Sequence, residues 1–468
     1  MQQGGCIRSS PGHGVVFHGS WGTEPGIRIS CGLPGSEVVV KRDVNRRYEL
    51  VCVRCKAVYP GDEPRNRCDC GGTLDVVHDL EMLKGRIDKR VLDERMGSLM
   101  PWDVSGVWRF RELVAPLSCD KIFTRPEGNT GLYISGRLSL FTGIDNLRLK
   151  QEGENPTGSF KDRGMTVGIT MARFFGMKTV ACASTGNTAA SMAAYAAMAG
   201  MRAVVFVPAG KIALGKLAQA LAYGARTIQI EADFDSAMHL VEQVCRKRNI
   251  YLLNSLNPFR IEGQKAIGFE ILQQMRWNVP DWIVVPGGNL GNNSALSKGF
   301  MELKELGLID KLPKIAVVQA EGANPLYTAF REKRDLVPVQ NPDTVATAIR
   351  IGNPVSWRKS LRGIEATGGV VEQLTDDEIL QAKIEVDASG IGAEPASCAS
   401  VGGARKLVKK GTIRPGSNVV CVLTGNLLKD PDTVIAVHKG SLGKNIQGRN
   451  QPVKVEPRLD AVLQELDN

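Results

Sequence analysis

The sequence predicts an α/β fold with mostly parallel, twisted sheets, and three observations predict it. Short, continuously apolar runs such as 179–184 (TVACAS), 203–207 (AVVFV) and 418–423 (NVVCVL) alternate with longer helical patterns. Runs without polar alternation are those of strands covered on both faces. The 51 Gly recur where such runs give way to helices, permitting tight turns and close backbone approach. Hydrophobic residues make up 43% and charged residues 23% of the 468, a balance that supports a sizeable core and argues against a disordered chain.

Residues 1–47 hold nine Gly and three Pro and no acid before Glu24, and they read as a loosely ordered leader. There is no apolar h-region, so no secretory signal is expected, and Arg8 is the one basic residue before Arg28, too few for a transit peptide. From about residue 108 strands and helices alternate. Strands are predicted at 179–184, 203–207, 227–230, 251–254, 282–285, 315–319 and 418–423. Helices are predicted at 165–174, from Thr188, at 216–223 and at 235–248. Residues 438–455 read as polar loop and 458–466 as a last short helix. In parallel sheets, ligands bind beyond the carboxyl ends of strands, so the loops after each strand carry the search for a site.

Composition excludes several classes. The chain has length for roughly three domains. No apolar run approaches the roughly 20 residues that span a bilayer. The excess of 59 basic over 49 acidic residues, net +10, is spread along the chain, so a small anionic substrate is expected and nucleic acid is not. Seven of the eleven Cys stand singly, which fits a reducing, cytoplasmic setting and no disulfide framework. None of the five His lies in a recognisable hydrolase motif.

The sharpest local signal is Asn155-Pro-Thr-Gly-Ser-Phe-Lys161-Asp-Arg-Gly-Met. Lys161 follows a tight turn and opens a helix, where the positive end of the helix dipole favours the neutral, nucleophilic amine. A bare Lys-Asp pair would more often be an exposed lysine beside its ion partners. Three strand-end loops change that balance: Thr185-Gly-Asn-Thr188, Pro286-Gly-Gly-Asn-Leu-Gly-Asn292 and Thr424-Gly-Asn426. The second aims backbone N–H groups at a phosphate, yet it is neither a P-loop nor a dinucleotide fingerprint. A reactive lysine, a phosphate cradle and a lone hydroxyl acceptor together meet the needs of pyridoxal phosphate.

With these motifs on hand the chain resembles the threonine synthase family, in the tryptophan-synthase-β group (fold type II) of pyridoxal-phosphate enzymes. The likeness runs from about residue 108 to 431. It includes Trp108-Arg-Phe-Arg-Glu112, Glu127-Gly-Asn-Thr130, the Lys161 motif, Ser184-Thr-Gly-Asn-Thr188 and Asn254-Ser-Leu-Asn-Pro-Phe-Arg260 with Glu262-Gly-Gln-Lys265. It closes with Ala346-Thr-Ala-Ile-Arg-Ile-Gly-Asn-Pro354 and Thr424-Gly-Asn-Leu-Leu-Lys-Asp-Pro431. The resemblance implies a two-domain fold, with a large α/β domain from 81–156 and 258–440, a small one over 157–257, and a tail from 441. It implies that Lys161 carries the cofactor and that Asn187 bonds its 3′-oxygen. Gly288, Asn289, Leu290, Gly291 and Asn292 would hold its phosphate, and Thr424 would face its ring nitrogen. Ser184, Thr188, Asn254, Ser255 and Arg260 would hold the substrate's phosphate. The implied reaction converts O-phospho-L-homoserine and water to L-threonine and phosphate. The lysine and phosphate loops would serve equally a cysteate synthase acting on O-phosphoserine or a threonine dehydratase. A homodimer is the expected assembly.

A second motif lies upstream. Cys52-Val-Arg-Cys55 and, after twelve residues, Cys68-Asp-Cys70 read as a four-cysteine zinc ribbon over 48–80, structural because four thiolates close the coordination sphere. The second pair is C-x-C where C-x-x-C is commoner, and His78 stands near as a substitute ligand. Many microbial members of the family carry such a ribbon, which adds to the reading.

Overall fold

The computed structural model describes residues 48–209, 214–231 and 234–467, together with the strands β1 (Ile27–Ser30) and β2 (Glu37–Val40). β1 and β2 pair antiparallel within a unit of their own, residues 1–44. Apart from them, the loose leader expected over 1–47 lies outside the described residues.

Residues 45–468 form the second unit. It begins with a three-stranded antiparallel sheet of β3 (Tyr48–Cys52), β4 (Val58–Pro60) and β5 (Leu74–His78), in the order β4-β3-β5. Tyr48, Leu50 and Cys52 alternate inward along β3, the period-2 pattern of a sheet with one buried face.

Two parallel sheets follow. β6 (Leu132–Tyr133) and β7 (Asn146–Gln151) precede β8 (Thr179–Ala183), β9 (Arg202–Pro208), β10 (Arg226–Ile230) and β11 (Tyr251–Leu252). β12 (Trp282–Pro286), β13 (Lys314–Ala320), β14 (Val370–Leu374) and β15 (Asn418–Leu423) complete the set. Strands β8–β11 make a parallel sheet in the order β10-β9-β8-β11. The others make a six-stranded sheet, β14-β13-β12-β15-β7-β6, parallel except for the short edge strand β6. The strands predicted from 179 onward are all present, each within two residues of its expected ends.

The helix Pro258–Gln274 leads from the smaller sheet back to the larger, with Asn257 accepting from the N–H groups of Phe259 and Arg260 as its cap and Pro258 at its first turn. Nearly every residue along it is buried, so it packs on all sides, chiefly against the helices Lys161–Phe174 and Gly291–Glu305. No helix among the described residues is long and apolar enough to cross a membrane.

Candidate active site

Four long helices start at one cavity. Phe160 and Lys161 line it from the start of Lys161–Phe174, and Arg260, Ile261 and Gln264 from that of Pro258–Gln274. Leu290, Gly291 and Asn292 line it from Gly291–Glu305, Glu394 and Ala396 from Pro395–Lys409. Each start leaves first-turn N–H groups without intrahelical partners and adds the positive end of a dipole, so the cavity favours anions.

Lys161 is the first residue of its helix. Its Nζ lies 3.6 Å from the centre of the Phe160 ring, and the Phe160 N–H donates to Thr424 O at 3.0 Å, tying the lysine to the end of β15. Burial pulls the amine down to about 7; Arg260 pulls the same way, Glu394 opposes, and Lys429 adds to the depression. Burial is the largest of these causes, and the start of the helix adds its positive end at the same amine. The neighbouring charges are not a solvated face. Asp162 and Arg163 are fully buried. The Asp162 carboxylate accepts from Thr157 N–H and Oγ1, both at 2.6 Å, and from Ser191 Oγ at 2.5 Å. Burial pushes it up to about 6.

The loop after β12 lines the cavity and opens the helix Gly291–Glu305. Leu290 sits in the left-handed region (φ 63°) and caps its helix without a side-chain bond. A non-glycine residue there is strained, and its burial in the core holds it in place. A Cβ on Gly288 would lie 3.1 Å from Ala348 O and 3.2 Å from Ile349 Cα, so a side chain would crowd the loop. Both amide atoms of Asn292 are buried without a hydrogen-bond partner, as are Arg260 Nε and Gln264 Oε1. Buried polar groups are normally paired. These orphans beside a helix start fit a bound phosphate ester and, with Lys161 in the same cavity, pyridoxal phosphate.

Of the residues singled out in the sequence, Lys161, Ser255, Arg260, Gly288, Asn289, Leu290, Gly291, Asn292 and Thr424 line the cavity. Ser184, Asn187, Thr188 and Asn254 are not among its lining residues. Asn254 is turned to the end of β8, accepting from Ala183 N–H at 2.8 Å and donating to Ala183 O at 3.2 Å, which joins two strand ends. Ser184 Oγ accepts from Gly186 N–H at 3.3 Å, shaping the following turn. Thr424 Oγ1 lies 2.9 Å from Ser397 Oγ. Arg260 donates through Nη1 to Leu253 O at 3.0 Å, and burial brings its guanidinium down to about 10. Glu394 was not singled out. Its only sequence signal is Pro395, which marks a helix start.

The four cysteines upstream come together. Cys52 and Cys70 sulfurs lie 3.6 Å apart and Cys55 and Cys68 sulfurs 3.4 Å, all four within 4.8 Å of one another. A tetrahedron with Zn–S bonds of about 2.3 Å has edges of roughly 3.8 Å, so the donor set fits zinc. Arg54 and Cys55 N–H groups both donate to Cys52 Sγ at 3.4 Å, support that a thiolate accepts. A Cβ on Gly72 would lie 2.8 Å from Cys52 Sγ, so glycine leaves room for the cluster. His78 is turned elsewhere, its Nε2 2.6 Å from buried Glu262.

Comparison with known proteins agrees with this geometry. The family described as pyridoxal-phosphate dependent enzyme matches residues 123–425. Threonine synthase of Methanocaldococcus jannaschii is 46% identical over 420 residues, 89% of this chain and 99% of that protein. The chain belongs to the threonine synthase family of pyridoxal-phosphate dependent enzymes. Threonine synthase of Methanosarcina acetivorans is 48% identical over 418 residues, 89% of this chain and 98% of its own length. Among solved structures, threonine synthase from Escherichia coli superposes with a TM-score of 0.65 over 86% of this chain and 93% of that one, at 16% identity, a likeness of fold. Membership in the threonine synthase family accounts for the parallel sheets of the fold.

Proposed function

We propose that this cavity converts O-phospho-L-homoserine and water to L-threonine and inorganic phosphate. The observation that carries the reading is the convergence of four helix starts on a cavity lined by a partly neutral lysine, a guanidinium and an unpaired asparagine amide. Those groups supply donors for two phosphates beside one amine.

Residues 288–292 would hold the cofactor's phosphate through backbone N–H groups and Asn292. Asn187 would reach its 3′-oxygen, and Thr424 its ring nitrogen. When bound, pyridoxal phosphate supplies an electron sink for carbanion character at the substrate's carbons. A hydroxyl such as Thr424 cannot hold a proton on a pyridine nitrogen as a carboxylate does, so it leaves that nitrogen unprotonated. Lys161 carries the cofactor and then moves protons at Cα and Cβ. Arg260 and Ser255, with Ser184, Thr188 and Asn254 on the neighbouring loops, bind and orient the substrate's phosphate. The Cγ–O bond breaks with its electron pair leaving on phosphate, where the Arg260 guanidinium meets the growing charge. Cγ gains a proton to become the methyl group, and the oxygen of water adds at Cβ.

The deciding experiment is phosphate release from O-phospho-L-homoserine with the amino-acid product identified. Threonine formed in equal amount to phosphate is the expected result. Preferential turnover of O-phosphoserine, or deamination of threonine, would replace this reading with the cysteate synthase or dehydratase one.

Three further parts of the reading are proposals of the same kind. The four-cysteine cluster takes a structural zinc, supported by the sulfur spacing. The small domain spans 157–257 and the large one its two flanks, supported by the division of strands between two sheets. The assembly is a homodimer, an expectation carried by the family and checked by light scattering.

A further inference from the structure

Glu394 lines the cavity and is 5% exposed. It directly precedes the helix Pro395–Lys409, yet its side chain makes no capping bond to that helix. Both its oxygens instead accept from Asn187 Nδ2, at 3.2 and 3.1 Å. The chain is built around this carboxylate. Glu394 N–H donates to Gly425 O at 3.0 Å, and Gly425 N–H donates to Ser397 Oγ at 2.9 Å. A Cβ on Gly425 would lie 2.5 Å from Glu394 Oε1, so glycine at the end of β15 makes the space it occupies. Ser397 also meets Thr424, so one junction of strand end and helix start sets both Glu394 and Thr424.

A carboxylate only accepts hydrogen bonds, so it compels Asn187 to turn its NH2 group toward it and fixes which way the amide points. Burial pushes the Glu394 carboxyl above the usual carboxylate range; the Asn187 amide, Lys161 and Lys429 work against that and favour its ionised form, and Asp430 adds to the rise. Arg260 faces Lys161 as well and works against a proton on the lysine nitrogen. Glu394 is the one acid among the groups acting on Lys161 and the counterweight to Arg260 and Lys429 there.

We propose that Glu394 is a positioning residue: it orients the Asn187 amide toward the cofactor and, once the cofactor is bound, favours the proton on the Lys161 nitrogen. The inference rests on the reading of Lys161 as the group that carries the cofactor.

The test is a pH titration of the visible absorption band of the substrate-free holoenzyme. Removing a negative charge from the buried cavity that also holds the lysine nitrogen lets the proton leave at lower pH, so Glu394→Gln should lower the midpoint by about one to two pH units. Glu394→Asp keeps the charge and should hold the midpoint within about half a unit of the wild type. Should Glu394→Gln not fold, Gly425→Ala substitutes for it, since the added methyl displaces the carboxylate from Asn187 and should lower the midpoint too. A midpoint unchanged in Glu394→Gln or Gly425→Ala overturns the proposal, as does an equal fall in the Asp and Gln variants. A wild-type protein without a visible band would instead sink the reading of Lys161, so the two failures are told apart.

Discussion

At the scale of single residues, the chemistry turns on how burial sets charge. The Lys161 amine, held at about 7 in the cofactor-free chain, carries a substantial neutral fraction at neutral pH. Only that form attacks an aldehyde. The neutral fraction grows as pH rises, so the rate of pyridoxal-phosphate uptake by the cofactor-free protein should climb through about pH 7 and level off above it. Stopped-flow absorbance from pH 6 to 10 checks this, and a rate that rises only above pH 9 would mean an ordinary, solvated lysine. Arg260 is the proposed second anion site. Its Nη1 is committed to Leu253 O, while its Nε is buried and unpaired, so a donor is left for the substrate. Arg260→Ala removes a charge-assisted contact of about 2–3 kcal/mol, which is a roughly 30- to 150-fold rise in KM for O-phospho-L-homoserine. On the proposed reading residues 288–292 hold the other phosphate, so cofactor affinity should stay within about threefold of wild type. Loss of cofactor with substrate affinity kept would mean that the two phosphate sites are exchanged.

At the scale of elements, the buried parallel strands were legible because continuous runs such as IVV and VVCVL leave few alternatives. β6 was not, since two residues on an edge carry no period. The longest helix, Pro258–Gln274, was not read as a helix for a different reason. Arg260, Glu262, Gln264, Lys265 and Glu270 are all buried along it, so no polar stripe marks an outer face. Its cap, Asn257-Pro258, was the signal available. At the site, the strand-end loops gave positions that line the cavity, but Glu394 follows no strand and stayed hidden. The grouping of the four cysteines was legible from their spacing alone, and the attachment of their segment was not. Asp75 on β5 pairs with Lys359 at 2.8 Å and Arg362 at 2.7 Å, and Arg67 pairs with Glu242 at 3.1 Å. A segment this short cannot bury a core of its own, so zinc should supply much of its folding free energy. One zinc per chain is expected by metal analysis. Cys52→Ser should raise proteolytic cleavage within 48–80 and lower the thermal midpoint, with turnover at low temperature largely kept. Freshly purified protein without zinc would refute the site, and abolished turnover at unchanged stability would refute its structural role.

At the scale of the whole molecule, a buried ionic network joins the pieces that must share one cavity. Arg163, on the helix that begins with Lys161, donates to Glu152 at 2.6 and 2.7 Å and to Glu270 at 2.9 Å. Glu270 lies on the helix that carries Arg260 and also accepts from Lys150 of β7 at 2.5 Å. It further accepts from the N–H groups of Asn129 and Thr130, at 2.8 and 3.0 Å. One carboxylate thus ties two site helices and the large sheet together. Burial alone would raise its pKa, but Arg163 and Lys150 overcome that and hold it well below the usual carboxylate range. A carboxylate depressed in the folded state contributes stability above its unfolded pKa of about 4.3, and that contribution fades as pH falls below it. Glu270→Gln leaves Lys150 and Arg163 buried with less countercharge, which costs about 3–5 kcal/mol at pH 7. Because the wild type loses this stabilisation on acidification and the variant has none to lose, the gap between them should narrow from pH 5 to pH 3. Urea unfolding of both proteins across that range measures it. A gap below about 1 kcal/mol at pH 7 that stays constant on acidification would show that the network positions the helices without stabilising the fold.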